Sequence, residues 1–319
     1  MEADSDSQKP IVVIAGPTGS GKSALALDLA RQFRGAIVNA DSQQVYRELR
    51  VLTQRPSAAE EASVPHRLFG VLAASMRCSA GRWLGLALRA IAEIRGEGQL
   101  PIVAGGTGLY LNALIKGIAD IPAPSPEAVA EAREARVRLG GEAFRDELAR
   151  LDAEGAARIP ATDTQRLVRA YAVVRATGIS LSDWQRREKR RARVPPGRFL
   201  VLALNPPRAE LGARLESRFD SMMEQGALEE ARALHRLGLD PTLPALKAVG
   251  VRELLAHVRG ETTLAEAVAQ AKRATRKFAK RQETWLRHQI QGPHTFAAFG
   301  EKVCEEARAL VIKFLSQRN

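Results

Sequence analysis

The chain has 319 residues, 45% hydrophobic and 26% charged, with 48 Lys and Arg against 36 Asp and Glu, a net charge of +12. That apolar content excludes a disordered class, and two cysteines, Cys78 and Cys304, in no CxxC pair exclude a disulfide framework and a cysteine-based zinc site. No run approaches the roughly 18 apolar residues of a membrane span, and the acidic start at residues 1–6 is unlike a signal peptide, so the expectation is a soluble, cytoplasmic monomer with no membrane partner.

In chain order, residues 11–15 (IVVIA) form a β-branched run that predicts a buried parallel strand. A helix is predicted from 22 to about 33, a second strand at 36–38, a helix at 82–95 and a strand at 101–104 that ends in Gly105-Gly106-Thr107-Gly108. This alternation predicts an α/β fold with an open parallel sheet covered by helices. Residues 121–126 (IPAPSP) carry three alternate prolines and predict neither helix nor central strand. From 127 to about 193 the pattern is helical, and Pro195-Pro196 closes it. Residues 199–204 predict a strand again, and the rest from about 208 is mostly helical. The expected organisation is therefore a core of 1–120 and 197–319, interrupted by a helical insertion domain at 121–196.

Gly16-Pro17-Thr18-Gly19-Ser20-Gly21-Lys22-Ser23 matches G-x-x-x-x-G-K-[ST] in full, between a predicted strand and a predicted helix. The glycines let backbone N–H groups ring an anion, and the helix N-terminus adds partial positive charge. Lys22 can reach an outer phosphate, and the Ser23 hydroxyl can ligate Mg²⁺. The motif implies a P-loop NTPase-like sheet and a phosphorylated ligand, ATP being the usual one, but does not say which.

Asp41 follows the second strand. Ligands of open α/β sheets sit at the carboxyl ends of strands, so Asp41 is expected to face the same crevice as the P-loop. There it serves as a general base or holds Mg²⁺ through water; the competing role is an N-cap for the next helix. Thr107, at another strand end, is a candidate substrate contact, and His66 is a candidate neighbour of the crevice.

Positive charge clusters twice. Residues 185–193 hold six basic side chains and one acidic. Lys272, Arg273, Arg276, Lys277, Lys280 and Arg281 share one face of a predicted helix, beside an apolar stripe of Ala271, Ala274, Phe278 and Trp285. Like charges at that spacing repel, so a phosphate backbone is the expected counter-charge; a solvated face is the alternative, more so for 185–193.

Taken as an ordered set, these motifs resemble one family, the tRNA dimethylallyltransferases. The resemblance is carried by residues 16–23, Asp41-Ser42-Gln43-Gln44-Val45-Tyr46-Arg47, Pro65-His66-Arg67-Leu68 and Gly105-Gly106-Thr107-Gly108-Leu109-Tyr110. It continues through Asp163-Thr164-Gln165-Arg166-Leu167-Val168-Arg169, Arg214 with Arg218-Phe219, Lys247-Ala248-Val249-Gly250-Val251-Arg252, and residues 276–282 running on to Trp285. It implies transfer of a dimethylallyl group from dimethylallyl diphosphate to the exocyclic amine of the adenosine 3′ of the anticodon, with the insertion clamping the anticodon stem-loop.

By that resemblance the P-loop, Gly16 to Ser23, holds the donor's diphosphate rather than a nucleotide, with Thr18 and Lys22 in contact and Ser23 on Mg²⁺. Arg218 aids the leaving group, and Asp41 takes the amine proton, so Asp41, Thr18 and Arg218 form the catalytic set. Ser42, Gln43, Gln44, Thr107, Gln165, Arg166, Leu167, Val168, Arg169, Lys247 and Arg252 are expected to meet tRNA together with Asp41, as are Lys272, Arg276 and Lys280. The sequence departs from the family at Gln54, where a small Ala is usual, at Ala172, where Glu is usual, and at Val129, where some relatives carry Arg. The rival functions are a small-molecule kinase, which pairs a P-loop with a strand-end Asp but leaves the basic helix unexplained, and an isopentenyltransferase of free adenine nucleotides. A non-catalytic nucleic-acid-binding module is the third.

Overall fold

Ile11, Val12, Val13 and Ile14 are fully buried, as a strand covered on both faces requires. They belong to β1 (Pro10–Ala15), which pairs in parallel with β4 (Leu100–Gly105) on one side and β5 (Arg198–Leu204) on the other. The computed structural model describes residues 9–119, 121–189, 197–290 and 292–317, without the side chains of 188 and 189. The sheet is completed by β2 (Gly35–Asn39), β3 (His66–Arg67) and β6 (His294–Phe296), in the order β3-β2-β4-β1-β5-β6, all parallel. The two edge strands, of two and three residues, are too short to leave a periodic signal and were not expected from the sequence.

The chain divides into two compact units, one of Met1–Ile115 with Pro195–Asn319, the other of Lys116–Val194, so the second begins earlier than the prolines at 121–126 suggested. In the first unit the sheet is joined by α1 (Lys22–Gln32), α2 (Ala58–Ser63), α3 (Ala80–Gly96) and α4 (Gly108–Lys116), the last continuing one residue past the division. After the second unit come α10 (Arg208–Glu224), α11 (Ala227–Arg236), α12 (Val251–Val258), α13 (Leu264–Gln289) and α14 (Cys304–Ser316). Leu25 and Leu29 of α1 and Val311 of α14 pack against β-strand residues Val12, Ile102 and Leu202 in one apolar cluster.

The second unit holds α5 (Pro126–Leu139), α6 (Gly141–Leu151), α7 (Ala153–Arg158), α8 (Thr164–Thr177) and α9 (Leu181–Lys189). Pro126 corrects the expectation that residues 121–126 stay outside any helix. It sits at the first position of α5, where its missing N–H costs nothing, and Ser125 Oγ caps the turn by accepting from Ala128 N. Phe144, Leu148, Leu167 and Tyr171 centre this unit's own core. Two departures from the family pattern fall here: Ala172 is fully buried in that core and Val129 packs against it, so both are apolar packing positions. Of the basic run 185–193, Arg186 pairs with Glu154 and Asp183; residues 190–193 lie outside the described residues.

Candidate active site

The P-loop turns between β1 and α1 because Gly21 adopts a φ of 87°, a left-handed conformation that side-chain-bearing residues disfavour. A Cβ there would also lie 2.6 Å from Gly300 N. Gly300 N in turn donates to Ser20 O at 2.9 Å, so the turn at 300–302 backs the loop. Lys22 Nζ donates to Pro17 O at 2.7 Å, folding the ammonium back over the loop. Ser20 Oγ is enclosed behind the loop and has no hydrogen-bond partner.

Beside it, Asn39 at the end of β2 is fully buried and fully engaged. Its Oδ1 accepts from Asp41 N at 2.7 Å, and its Nδ2 donates to Asp41 O and Leu68 O. Asp41 Oδ1 then accepts from Gln43 N at 2.8 Å, which closes a turn rather than capping a helix; no helix begins here. Thr107 Oγ1 accepts from Ser42 N at 2.8 Å, and Thr107 N donates to Ala40 O. The strand-end loops of β2 and β4 approach so closely that a Cβ on Gly105 would overlap the Ala40 peptide.

Two cavities open at this strand end. The larger, of about 510 Å³, is lined by Lys22 and Ser23 of the P-loop and reaches Arg50, Gln54, Arg55 and His66. The smaller, of about 40 Å³, has walls of Leu52, Leu215, Phe219, Met222, Val249 and Phe278. Thr18, Asp41, Thr53 and Arg218 line both and so form the neck between them.

Burial lowers Lys22 to about 8; Asp41 opposes that shift, and Arg218 adds to it. Burial likewise lowers Arg218 to about 10, opposed by Asp41 and reinforced by Arg214. Two desolvated cations thus share one carboxylate, and Arg218 Nε is enclosed without a partner. Desolvated positive charge in excess of its counter-charge is a site made for an anion. Among the described residues no group of three His, Cys, Asp or Glu side chains could hold a metal; the Ser23 hydroxyl, facing the larger cavity, is the P-loop donor for one.

The residues expected to meet nucleic acid separate by burial. Gln165 and Arg166 are exposed in the first turn of α8, whose N-cap is Asp163. Arg169 is half-buried, and that burial lowers its pKa. Leu167 and Val168 are corrected: a helix turns them inward, and both sit in the core of the helical unit. Gln43 lines the smaller cavity. Gln44 spends its Nε2 on Thr53 O and Gln54 O, at 2.8 and 2.9 Å, bracing the turn in which Gln54 has a φ of 52°. Lys247 and Arg252 are exposed at either side of Val249.

On α13, Lys272 pairs with Asp220 and Arg276 with Glu216, both from α10. For these two a neighbouring helix supplies the carboxylates, in place of the external anion expected for the whole stripe. Arg273, Lys277, Lys280 and Arg281 remain exposed.

Four contributors escaped the sequence. Asn39 aims Asp41, Thr53 completes the neck, and Gln282 joins the P-loop to Gly106, accepting from Thr18 N and donating to Gly106 O at 2.9 Å each. The carboxylate of Glu230 accepts from Arg50, Val51 and Leu52 N at 2.7, 2.8 and 2.9 Å, holding the loop that lines both cavities. A polar residue ending an apolar strand was the only signal for Asn39, and Gln282 closes the basic motif at 276–282 without betraying its role; Thr53 and Glu230 left none.

A profile described as IPP transferase matches residues 44–289, and one described as Isopentenyl transferase matches residues 9–69. The tRNA dimethylallyltransferase of Rhodospirillum centenum is 56% identical over 290 residues, covering 90% of this chain and 91% of the relative. That of Parvibaculum lavamentivorans is 51% identical, covering 95% of each. Among solved structures, the tRNA isopentenylpyrophosphate transferase of Bacillus halodurans is 31% identical with a TM-score of 0.67, covering 96% of this chain and 97% of that one. A eukaryotic dimethylallyltransferase solved acting on tRNA is 25% identical with a TM-score of 0.81, covering 98% and 81%.

Proposed function

We propose, from the premise that this chain belongs to the IPP transferase family, that it transfers a dimethylallyl group from dimethylallyl diphosphate to the N6 amine of the adenosine 3′ of the anticodon in tRNA. The chain is a tRNA prenyltransferase. One observation carries it: Thr18, Asp41, Thr53 and Arg218 form a neck between a cation-lined cavity and an apolar one. A phosphate-transfer enzyme needs phosphate-binding groups on the donor side, but an apolar wall beside the reacting centre suits an isoprenoid chain.

An aromatic exocyclic amine is a poor nucleophile, because its lone pair is delocalised into the ring. The bond from the donor's first carbon to the diphosphate oxygen must therefore break substantially as the carbon–nitrogen bond forms, and the electron pair leaves with the diphosphate. P-loop amides, Lys22 and Arg218 concentrate positive charge where that negative charge grows. Thr18 contacts the same end of the donor. Asp41 takes the proton released from N6. The apolar walls keep water from the electron-deficient allyl group. A magnesium ion, held by the Ser23 hydroxyl, would supply further charge neutralisation where the diphosphate leaves.

Gln43, Ser42 and Thr107 border Asp41 and would meet the adenosine, while Gln165, Arg166, Arg169, Lys247, Arg252 and the exposed basic residues of α13 would meet the surrounding tRNA. No described helix is long and apolar enough to cross a membrane, and a tRNA substrate suits the cytoplasm. Incubation with labelled dimethylallyl diphosphate, Mg²⁺ and unmodified tRNA is expected to label the base without consuming ATP. Stoichiometric ADP release dependent on a small acceptor would overturn the reading in favour of a kinase.

A further inference from the structure

Gln282 lies on α13, 6% exposed, with both ends of its amide engaged. Oε1 accepts from Thr18 N, and Nε2 donates to Gly106 O, each at 2.9 Å. Thr18 is in the neck. Gly106 precedes Thr107, whose hydroxyl oxygen holds Ser42 N at 2.8 Å, beside Asp41. The two partners demand opposite chemistry: a backbone N–H needs an acceptor and a carbonyl needs a donor, and a carboxamide presents one of each. The fit is close, since a Cβ on Gly106 would overlap the Gln282 amide and lie 3.0 Å from Gly16 O.

We propose that Gln282 is a positioning residue for the transfer step, setting the distance between the loop that carries Thr18 and the loop that carries Asp41. The proposal rests on the roles given above to those two residues. Gln282 bonds to neither Lys22 nor Ser23 and holds Thr18 through its backbone N–H alone, so its bridge acts chiefly on the alignment of donor, base and acceptor. Alignment is costly to lose, because a displacement near 1 Å can slow a reaction about 100-fold.

Two variants test this in steady-state kinetics with dimethylallyl diphosphate and tRNA. Gln282→Met fills the space and makes neither bond. Gln282→Glu keeps the acceptor for Thr18 N but turns an oxygen toward Gly106 O, and protonation of the carboxyl restores a donor. Gln282→Met is expected to lower kcat roughly 10- to 100-fold while both KM values stay within about threefold of wild type. The ratio of the Glu variant's kcat to that of wild type should climb as pH falls through the carboxyl's titration, whereas the Met variant's ratio stays flat. A Met variant with kcat within about twofold of wild type, or a Glu ratio flat with pH, overturns the proposal. Should the Met variant fail to fold, the Glu ratio decides alone. Asp41→Asn is run alongside: normal turnover in it sinks the reading of Asp41, whereas slow turnover in it with a normal Met variant sinks only the positioning role.

Discussion

Lys272 Nζ reaches both carboxylate oxygens of Asp220, at 2.6 and 2.7 Å, and ties the basic face of α13 to α10. With Arg276 on Glu216 alongside, the stripe divides into an inner half that holds two helices together and an outer half of Arg273, Lys277, Lys280 and Arg281.

The outer half should carry the salt dependence of tRNA binding. Each phosphate neutralised contributes roughly 0.7–0.9 to the slope of log affinity against log salt. Replacing Lys277, Lys280 and Arg281 by Gln is expected to flatten that slope by about two units. Replacing Lys272 and Arg276 should leave it nearly unchanged and cost about 0.2–1 kcal/mol of stability per pair, the usual worth of ion pairs this exposed. Binding titrations across a salt series decide; parallel plots for the outer-half variant and wild type would make that face merely solvated.

Lys22 gives the donor site a pH dependence. Burial holds it at about 8, below the 10.5 of an ordinary lysine. Between those values the unfolded chain binds more protons than the folded one, so this residue's penalty on stability is full below pH 8 and is relieved as pH rises toward 10.5. A bound diphosphate favours the charged lysine. Affinity for inorganic diphosphate should therefore be greatest below about 8 and fall by up to roughly tenfold per pH unit above it. In Lys22→Met that part of the slope should vanish, as calorimetric titration at several pH values would reveal; an unchanged slope refutes the assignment.

Asp41→Asn keeps the oxygen that accepts from Gln43 N and removes the proton acceptor. kcat is expected to fall ~10²–10⁴-fold, roughly 3–5 kcal/mol of barrier, with a far smaller change in tRNA affinity. Single-turnover kinetics with saturating donor separates the two, and near-normal turnover would reduce Asp41 to a turn-forming residue.

Glu230→Ala strips three backbone N–H groups of their acceptor. A loss of about 1–3 kcal/mol in chemical denaturation is expected, with a raised KM for the donor because Arg50, Thr53, Gln54 and Arg55 line its cavity. If Glu230→Ala binds donor as tightly as wild type, the loop needs no such clamp.

The sequence by itself determined what local pattern and short spacing encode. Its short apolar runs announced the four longer strands, the P-loop pattern announced a glycine turn between the first strand and the first helix, and the ordered motifs announced the family. What it withheld depends on long-range encounters. Leu167 and Val168 share a motif with exposed Gln165 and Arg166, and only the packing of α8 turns the first two into a core. Lys272 and Lys280 read alike on a helical wheel until α10 brings Asp220 to one and not the other. Gln282 stands 264 residues from Thr18. No local propensity records such a contact, because its energy exists only once the sheet has brought both segments to the same end.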